Sequence, residues 1–352
     1  MTISFYMGPS ALFATSLFLF LIGLCQQVDG VGSKCDIYKG KWVYDASYPL
    51  YNSSDCPFIH LEFNGRPDHL YQNFRWQPTS CNLPRFNGKD FLRKFRGKIM
   101  FVGDSLSLNQ WQSLTCLLHT AVPREPYISQ RVDAISTFSF PNYGVSIMFL
   151  RNAFLVDIVN EKEGRVLKLD SIAGGRIWKG YYVLIFNTWH WWLLTGRKQP
   201  WDYIQDNNIT RKGMNRMVAY RKALGTWARW VNLNVDPTKT KVFFQGVSPD
   251  HMDSRDWGDP AAKTCRGETW PMLSTAYPTG PPPSQDVLKR VLRRVPKAVR
   301  LLDITGLSQL RNDGHPSAFG YGGHRGNDCT HWCLPGVPDI WNELLFESLM
   351  QS

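Results

Sequence analysis

The chain is long enough to bury a large core and is strongly basic. Its 352 residues, 43% of them hydrophobic, suit one large domain or one domain with an appendage. The formal net charge of +11 favours an acidic partner or surface. Nucleic acid is disfavoured, because the sequence has no zinc-finger spacing, RNA-binding signature or lysine-rich tail. The 14 Trp, 14 Tyr and 20 Phe residues suit a core, and such richness is also expected where sugar rings are stacked.

The amino-terminal segment has the character of a targeting sequence. Residues 1–28 carry no charged side chain, and Ala11–Cys25 is almost continuously apolar. That length fits the hydrophobic region of a signal peptide better than a bilayer span of ~20 residues. No Lys or Arg precedes the run, however, and extending it back to Phe5 gives about 20 mostly apolar residues, enough for an uncleaved anchor. We expect residues 1–30 to be a signal peptide or a signal anchor, and the only membrane-contacting part of the chain.

The cysteines agree with entry into an oxidising compartment. Cys25 lies in the targeting segment, which leaves seven of the eight cysteines, and their spacing matches no zinc pattern. We therefore expect disulfides, with at least one thiol free or bonded to another chain because seven is odd. Asn52 and Asn208 each begin an Asn-x-Ser/Thr sequence, so they are either glycosylation acceptors or unmodified surface loops.

Residues 31–95 have the composition of a turn-rich module. Cys, Pro, Gly and Asn are closely spaced, with aromatic residues between them, as in Lys41–Tyr44 and Phe74–Pro78. This pattern is typical of a disulfide-stapled module without long helices. We expect the module to pack on the main domain and not to fold alone.

From residue 96 to residue 352 the pattern changes to strands that alternate with helices. Strands are predicted at Ile99–Val102, Val145–Leu150, Phe154–Val159, Tyr181–Phe186, Lys241–Gln245 and Val299–Ile304. Helices are predicted at Leu106–Leu118, Met214–Val231 and Val287–Val295. Such alternation predicts an α/β domain in which helices cover both faces of a parallel sheet.

Polar residues follow several predicted strands, and in a parallel sheet the chemistry gathers beyond the carboxyl ends of the strands. Ser105 follows Gly103 and Asp104 on a strand-to-helix turn, which is a familiar way to present a nucleophilic hydroxyl. Asp104 also suits the simpler role of a cap for the following helix. Asn187–Thr188 and Ser248–His251 end two further strands.

A nucleophilic serine needs a base and an acid that orients the base. Asp328 stands three residues before His331, a spacing that lets both side chains face one way in a turn. The acid can then hold the histidine tautomer while the far ring nitrogen deprotonates Ser105. His190 and His251 are alternative bases, since both follow strands, and His190 also suits packing among its neighbouring tryptophans. From the residues alone, the choice of His331 stays open.

Taken together, these blocks resemble the plant trichome birefringence-like family. Gly103–Ser105 and Asp328–Gly336 are similar to its two signature blocks. Further matching blocks are Asn64–Asp68, Trp76–Pro78, Phe186–Trp192 and Phe244–Pro249. The likeness runs from about residue 35 to the end. Family members are polysaccharide O-acetyltransferases of the secretory pathway with an SGNH-hydrolase-like α/β fold, so the resemblance implies Ser105 as nucleophile, His331 as base and Asp328 as orienting acid.

The resemblance also implies a disulfide pattern. The implied pairs are Cys35–Cys81, Cys56–Cys116, and Cys265 with either Cys329 or the less favoured Cys333. Many members carry a further cysteine between the positions equivalent to Phe63 and Gly65, where this chain runs straight through. That departure accounts for the odd number of cysteines and leaves one thiol free.

The implied chemistry is a double displacement through an acetyl-serine. The tetrahedral oxyanion needs donors, and by analogy with the esterase fold these are the Ser105 backbone N–H and the Asn187 side chain, in a site shaped by Gly103 and Asp104. No metal or bound cofactor is required. The acetyl donor, derived from acetyl-coenzyme A or another carrier, is a co-substrate, and proteins that supply it are candidate partners.

The expected acceptor is a hydroxyl of a cell-wall polysaccharide such as xylan, pectin or mannan. The positive charge mildly favours pectin or glucuronate-bearing xylan over mannan. Two alternatives stay open: an acetylesterase acting on wall pectin, with water as the acceptor, and a polysaccharide-binding protein without catalysis. The expected location is the Golgi lumen, as a single-pass type II membrane protein, with secretion to the wall as the alternative.

Overall fold

The computed structural model of the chain describes Met1 and residues 35–259, 263–320 and 326–351. It has two compact units, Met1–Asp36 and Ile37–Ser352, and every helix and strand described below belongs to the second. The predicted targeting segment lies, apart from Met1, outside the described residues. Within the ranges just given, no helix has the length and apolar character that crossing a membrane requires.

Strands and helices alternate along the second unit. The strands are β1 (Gly40–Tyr44), β2 (Phe74–Pro78), β3 (Gly97–Gly103), β4 (Ile128–Val132), β5 (Ile135–Phe140), β6 (Val145–Arg151), β7 (Asp157–Glu161), β8 (Gly164–Lys168), β9 (Val183–Phe186), β10 (Tyr203–Asp206), β11 (Ile209–Arg211), β12 (Lys241–Gln245) and β13 (Val299–Leu302). The α-helices are α1 (Gly88–Lys94), α2 (Ser105–Ala121), α3 (Arg216–Asn234), α4 (Pro283–Leu292), α5 (Thr305–Gln309) and α6 (Val337–Met350). Short 3-10 turns lie at Ser53–Asp55, Leu70–Gln72, Pro141–Tyr143, Ala173–Trp178, His190–Leu193, Gly196–Lys198, Ser254–Asp256 and Asn312–Gly314.

A seven-stranded, mostly parallel sheet lies at the centre, which confirms the predicted α/β class. Its strand order is β13-β12-β9-β3-β6-β5-β4. The strands from β13 to β6 are parallel, and the sheet is extended by two antiparallel pairings, β5 with β6 and β4 with β5. This antiparallel extension was not predicted, because every residue of β4 is exposed and the strand has no buried apolar run.

Helices flank both faces of the sheet. Met100 and Val102 of β3 belong to one buried cluster with the apolar side chains of α3 and α4. Side chains alternate along a strand, so Ile99 and Phe101 face the opposite side. There α2 packs on β3 and β6, and α6 packs on α2. Strand β3 is therefore covered on both faces, which is why it reads as a continuous apolar run.

A second, four-stranded sheet has the order β11-β10-β8-β7. Its presence corrects the strand predicted at Phe154–Val159, because β7 begins only at Asp157 and belongs to this smaller sheet. The chain leaves the main sheet after β6 through Leu155, which has a left-handed φ of 59°. The Leu155 N–H donates to Asn152 Oδ1 over 2.9 Å, and this bond holds the turn.

The amino-terminal part contributes an antiparallel pair, β1 with β2, that contacts the main domain directly. Trp42 lies opposite Trp76 in this pair, and its indole N–H donates to the Leu307 carbonyl of α5 over 2.8 Å. The Tyr48 hydroxyl donates to Glu343 of α6 over 2.9 Å. These contacts join the amino-terminal part of this unit to α5 and α6, and its helix α1 is only seven residues long.

Candidate active site

The turn between β3 and α2 presents Ser105 at the carboxyl edge of the main sheet. Ser105 is the first residue of α2, and Asp104 is its N-cap, accepting a hydrogen bond from the Leu106 N–H over 2.9 Å. The other carboxylate oxygen of the fully buried Asp104 accepts from the Trp189 N–H over 3.3 Å. Asp104 therefore caps the helix and also ties the turn to the segment that follows β9.

Ser105, His331 and Asp328 form one chain of hydrogen bonds. The Ser105 hydroxyl donates to His331 Nε2 over 2.7 Å, and His331 Nδ1–H donates to Asp328 Oδ2 over 2.8 Å. Asp328 Oδ1 accepts from the backbone N–H groups of Thr330 and His331 over 3.1 and 3.0 Å. The carboxylate thus fixes the ring tautomer that leaves Nε2 ready to take the serine proton.

Burial and charge act in opposite directions on the acid and the base. Burial by itself raises the pKa of Asp328, but hydrogen bonds from the His331 ring and from two backbone N–H groups outweigh it and hold the pKa below the usual range. Burial lowers the pKa of His331, but the hydrogen bond and charge of Asp328 outweigh this and leave the pKa raised. His331 therefore holds a proton more tightly than an isolated imidazole, which strengthens it as a base toward Ser105.

Asn187, directly after β9, offers a hydrogen-bond donor beside the serine. Its Oδ1 accepts from the Asp104 N–H over 3.1 Å and from the Ser107 hydroxyl over 3.0 Å, which identifies that atom as the amide oxygen. The amino group on Nδ2 then faces away, and it donates to no group in the described part of the chain. The Ser105 N–H, at the start of α2, likewise lacks an intrahelical partner. Two donors are therefore free for an oxyanion.

Gly103 permits the close approach of Asn187 to the turn. A Cβ at position 103 would lie 2.2 Å from Asn187 Oδ1 and 2.4 Å from Ser107 Oγ. Any side chain would displace both groups. The glycine two residues before the serine is thus required by the packing of Asn187, which the sequence alone did not indicate.

Two residues that sequence reasoning missed hold the histidine loop in place. Asn109 lies one turn after Ser105, and its amide exchanges two hydrogen bonds with the backbone of Trp332, at 2.8 Å to the N–H and 3.1 Å to the carbonyl. His315 Nδ1–H donates to the His331 carbonyl over 2.7 Å. The local sequence carries no signal for the role of Asn109, because Trp332 is 223 residues away along the chain.

The two alternative histidines contact other groups. His190 Nε2–H donates to the Ser248 carbonyl over 3.0 Å. The fully buried His251 has its Nε2 2.9 Å from the Gln309 carbonyl and its Nδ1 2.6 Å from His315 Nε2, and burial lowers its pKa to about 4. Neither ring is hydrogen-bonded to Ser105, so His331 is the histidine placed to take its proton.

A pocket of about 400 Å³ opens on Ser105 and His331. Its remaining walls are formed by His190, Trp191, Leu193, Leu194, Asp250, Gly326, Asn327, Asp328 and Thr330. The half-buried Trp191 and the 44% exposed Leu193 give it an apolar side. Among the described residues, no group of three or more His, Cys, Asp or Glu side chains is arranged to hold a metal ion.

The described cysteines fall into bonded and free sets. Cys56 is bonded to Cys116, and Cys265 to Cys329, which are pairs that the resemblance implies. Cys35 and Cys81 are disulfide-bonded as well. Cys333 is a free, buried thiol, and burial raises its pKa to about 12.

The residue after Cys333 contacts the Phe63–Gly65 segment. The Leu334 N–H donates to the Phe63 carbonyl over 2.9 Å. The free thiol therefore lies close to the segment at which the resemblance implies an additional cysteine in other members. The predicted glycosylation acceptors Asn52 and Asn208 are both exposed, and Asn208 occupies the left-handed turn between β10 and β11.

Comparison with known proteins covers nearly the whole chain. Residues 83–348 match the PC-Esterase family, described as a GDSL/SGNH-like acyl-esterase family found in Pmr5 and Cas1p, and residues 33–82 match the PMR5 N-terminal domain. Protein trichome birefringence-like 43 of Arabidopsis thaliana is 58% identical over 326 residues, which cover 90% of this chain and 89% of the relative. Protein trichome birefringence-like 41 of the same plant is 54% identical over 350 residues, 98% of each chain.

Proposed function

We propose that this chain, which belongs to the trichome birefringence-like family of PC-esterases, is a polysaccharide O-acetyltransferase that carries the acetyl group on Ser105. The observation that carries the proposal is the hydrogen-bonded chain Ser105–His331–Asp328 beside the unoccupied donor of Asn187. Acyl transfer needs a nucleophile, a base and a place for the oxyanion, and all three meet at this edge of the sheet.

In the first half-reaction, His331 Nε2 takes the proton of the Ser105 hydroxyl as Oγ attacks the acetyl carbonyl of the donor. The negative charge that develops on the carbonyl oxygen is stabilised by the Asn187 amino group and the Ser105 N–H. The tetrahedral intermediate then collapses, and the protonated His331 gives its proton to the departing group. Acetyl-Ser105 remains.

In the second half-reaction, His331 takes the proton of a sugar hydroxyl, whose oxygen attacks the acetyl-serine. The same two donors stabilise the second oxyanion. Collapse releases the acetylated sugar, and Ser105 Oγ recovers its proton from His331. Asp328 holds the imidazolium in both steps and stays ionised throughout, in keeping with its lowered pKa.

Hydrolysis is the second candidate function, because water can replace the sugar hydroxyl with no change in the catalytic groups. The match of residues 83–348 to a GDSL/SGNH-like acyl-esterase family favours it. The apolar side of the pocket, formed by Trp191 and Leu193, supports transfer instead, since a sugar ring stacked there would displace water from the acetyl-serine. A purely carbohydrate-binding role would leave the Ser105–His331–Asp328 chain without a task.

The same proposal includes a setting in the cell. The targeting segment and the disulfides favour a lumenal enzyme of the Golgi, anchored or secreted through residues 1–30. Its substrates would be a cell-wall polysaccharide and an acetyl donor, supplied by a partner protein or by a soluble carrier. No bound cofactor or metal is part of the proposed mechanism.

The deciding experiment incubates the purified full-length protein with an activated acetyl ester and unacetylated xylan, mannan or pectin oligosaccharides. We expect acetylated oligosaccharides by mass spectrometry and acetyl on the Ser105 peptide after rapid quenching. Ser105→Ala should lower transfer on the order of 10³-fold or more and still bind the oligosaccharide. Release of acetate from an acetylated polymer, with no acetylated oligosaccharide formed, would overturn transfer in favour of hydrolysis.

A further inference from the structure

A second cavity, of about 300 Å³, adjoins the catalytic pocket. Asp250 is a wall of both, and Trp189 of the second cavity directly precedes His190 and Trp191 of the first in the chain. The second cavity lies between the segment that follows β12 and the loop that leads into α4. A chain molecule bound across the reactive serine would therefore reach it with a neighbouring unit.

The walls of the two cavities have a charge opposite to that of the whole chain. The net charge is +11, yet none of the described residues that line either cavity is a Lys or an Arg. The second cavity instead carries the carboxylates of Asp250 and Asp256. Arg255, the cation adjacent in sequence, is engaged by Asp253 in an ion pair.

The negative charges of the cavity act on Asp256 and on Tyr277. Partial burial, together with the charges of Asp253 and Asp250, raises the pKa of Asp256 above its ordinary value. Burial, followed by the charges of Asp256 and Asp250, raises the pKa of Tyr277. The cavity is therefore a site of negative potential, and Tyr277 keeps its hydroxyl proton for donation.

The cavity also contains unused hydrogen-bonding groups. Gln309 is buried, with 5% of its surface exposed. Its Nε2 donates to the Gly280 carbonyl over 2.8 Å. Its Oε1 accepts from no group in residues 35–259, 263–320 and 326–351, and neither carboxylate oxygen of Asp250 is hydrogen-bonded there. Acceptor oxygens, hydroxyl groups and aromatic side chains are the kinds of group that bind sugar rings, and Tyr277 and Trp189 are among the residues that line the cavity.

We infer that this second cavity is an acceptor subsite for an uncharged sugar residue, and that the acceptor segment bound across Ser105 is neutral and not made of uronic acids. Carboxylate and amide oxygens accept from sugar hydroxyls, and charge-assisted bonds of this kind are the stronger ones. A uronate carboxylate would face the two negative charges of Asp250 and Asp256, and no Lys or Arg is among the described residues that line the cavity. The inference rests on the proposed function and names its acceptor class.

The first test compares two acceptors of equal length, a xylo-oligosaccharide and an oligogalacturonide, with the full-length protein at low ionic strength. We expect kcat/KM for acetyl transfer to favour the neutral acceptor by about tenfold or more. Added salt should narrow the ratio, because screening weakens repulsion. Equal or better transfer to the oligogalacturonide, with acetyl-Ser105 formed normally, would overturn the neutral subsite and leave the proposed function intact.

The second test changes the carboxylates. Asp256 is exposed, and Asp256→Asn alone should reduce the ratio of neutral to uronate kcat/KM. The double variant, in which Asp250→Asn is added, should reduce this ratio by about tenfold. Asp286→Asn is the matched control, because it removes the same charge from an exposed site in the first turn of α4, outside the cavity. An unchanged ratio in the Asp256 and Asp250 variants would contradict the inference.

Binding to Ser105→Ala by calorimetry separates the two proposals. The subsite would be supported if Ser105→Ala bound the xylo-oligosaccharide more tightly than the oligogalacturonide, and if Asp250→Asn with Asp256→Asn removed this preference. That result would hold even if the unmodified protein showed no acetyl transfer. In that case the proposed transfer would fail and the subsite would stand. Binding of the oligogalacturonide as tight as that of the neutral chain would overturn the subsite whatever the activity.

Discussion

At the scale of single residues, the two ends of the Asn187 side-chain amide have different roles, one as a hydrogen-bond acceptor and one as a donor. Its carbonyl oxygen accepts from the Asp104 N–H and the Ser107 hydroxyl, which fixes the turn that carries Ser105. Its amino group is left as a donor. Because the oxygen is held on two sides, the donor is held in position before any charge develops, which is the arrangement that stabilises a transition state most.

Substitution of Asn187 can separate these tasks. Asn187→Asp keeps an acceptor for the turn but replaces the donor by an acidic group, so we expect kcat for acetyl transfer to fall by about 10²–10³-fold with little change in KM. Asn187→Ala also loses the turn contacts and should unfold at a lower temperature. Steady-state kinetics and thermal unfolding measure both effects.

Asn160→Asp provides the control for this pair, because the same chemical change is made at an exposed position in β7 of the smaller sheet. Its kinetics should match those of the unmodified protein. A kcat for Asn187→Asp within a few-fold of the original value would show that Asn187 does not stabilise the oxyanion.

At the scale of elements, the junction of β3 and α2 depends on the absence of a side chain at Gly103. The strand ends where Asn187, at the end of the neighbouring β9, crosses over the turn. The backbone of β3, the cap at Asp104 and the amide of Asn187 then occupy one tightly packed layer. The nucleophile is placed by two adjacent strands and not by the turn sequence alone.

Gly103→Ala tests this dependence. The added methyl would overlap Asn187 and Ser107, so we expect a loss of about 1–3 kcal/mol in the free energy of unfolding and a fall in kcat. Gly225→Ala is the control, because the nearest atom to its Cβ would be Arg229 Nη1 at 3.9 Å and Ala favours the interior of α3 by about 0.5–1 kcal/mol. Denaturant unfolding gives the free energy of unfolding of both variants, and steady-state kinetics gives their kcat. Equal values for Gly103→Ala and Gly225→Ala would contradict the packing argument.

The sequence predicted some elements and missed others for physical reasons. The central strands were found because burial on both faces makes them apolar throughout. Helix α6 was not predicted, because it is buried on nearly every side and has no polar stripe to reveal a helical period. Short, partly exposed strands such as β10 and β11 have too few residues to show alternation.

The sequence likewise predicted only part of the candidate active site. Asp328 and His331 were recognisable as a pair because they are three residues apart. Asn109 and His315 support the same loop through contacts with Trp332 and His331, and the partners of Asn109 are 223 residues away along the chain. Local spacing carries no information about such contacts, so only the folded chain reveals them.

At the scale of the whole molecule, the net charge and the charge of the cavity walls lead to different expectations about the acceptor polymer. The excess of Lys and Arg suggested an acidic polymer, but the described walls of the two cavities carry carboxylates and no Lys or Arg. Net charge reports on the surface as a whole and on solubility. The substrate meets the local field, and for that reason the acceptor inferred from the cavities differs from the one favoured by composition.

The two disulfides Cys56–Cys116 and Cys265–Cys329 close loops of similar length, with sequence separations of 60 and 64 residues. Each should therefore stabilise the fold by a similar amount, about 4 kcal/mol from chain entropy alone. Their positions differ, because Cys329 directly follows Asp328 and lies two residues before His331. The second disulfide thus restrains the loop that carries the base.

Removing each disulfide by paired Cys→Ala substitution should distinguish stability from catalysis. We expect similar losses in the free energy of unfolding for both double variants, but a larger fall in kcat for the Cys265/Cys329 variant at temperatures where both stay folded. Calorimetry and acetyl-transfer kinetics measure the two quantities. Equal loss of kcat in the two variants would assign Cys265–Cys329 a purely structural role.

The Cys265–Cys329 bond determines when the loop that carries Asp328 and His331 becomes restrained. A newly made chain in a reducing environment lacks this bond, so its acid and base sit on a loop without its covalent tether. If the chain enters the secretory lumen as proposed, oxidation there would join the loop to residue 265. On the proposed mechanism, Ser105 would then gain a fully restrained base only after translocation, and cytosolic acetyl esters would not meet the completed site.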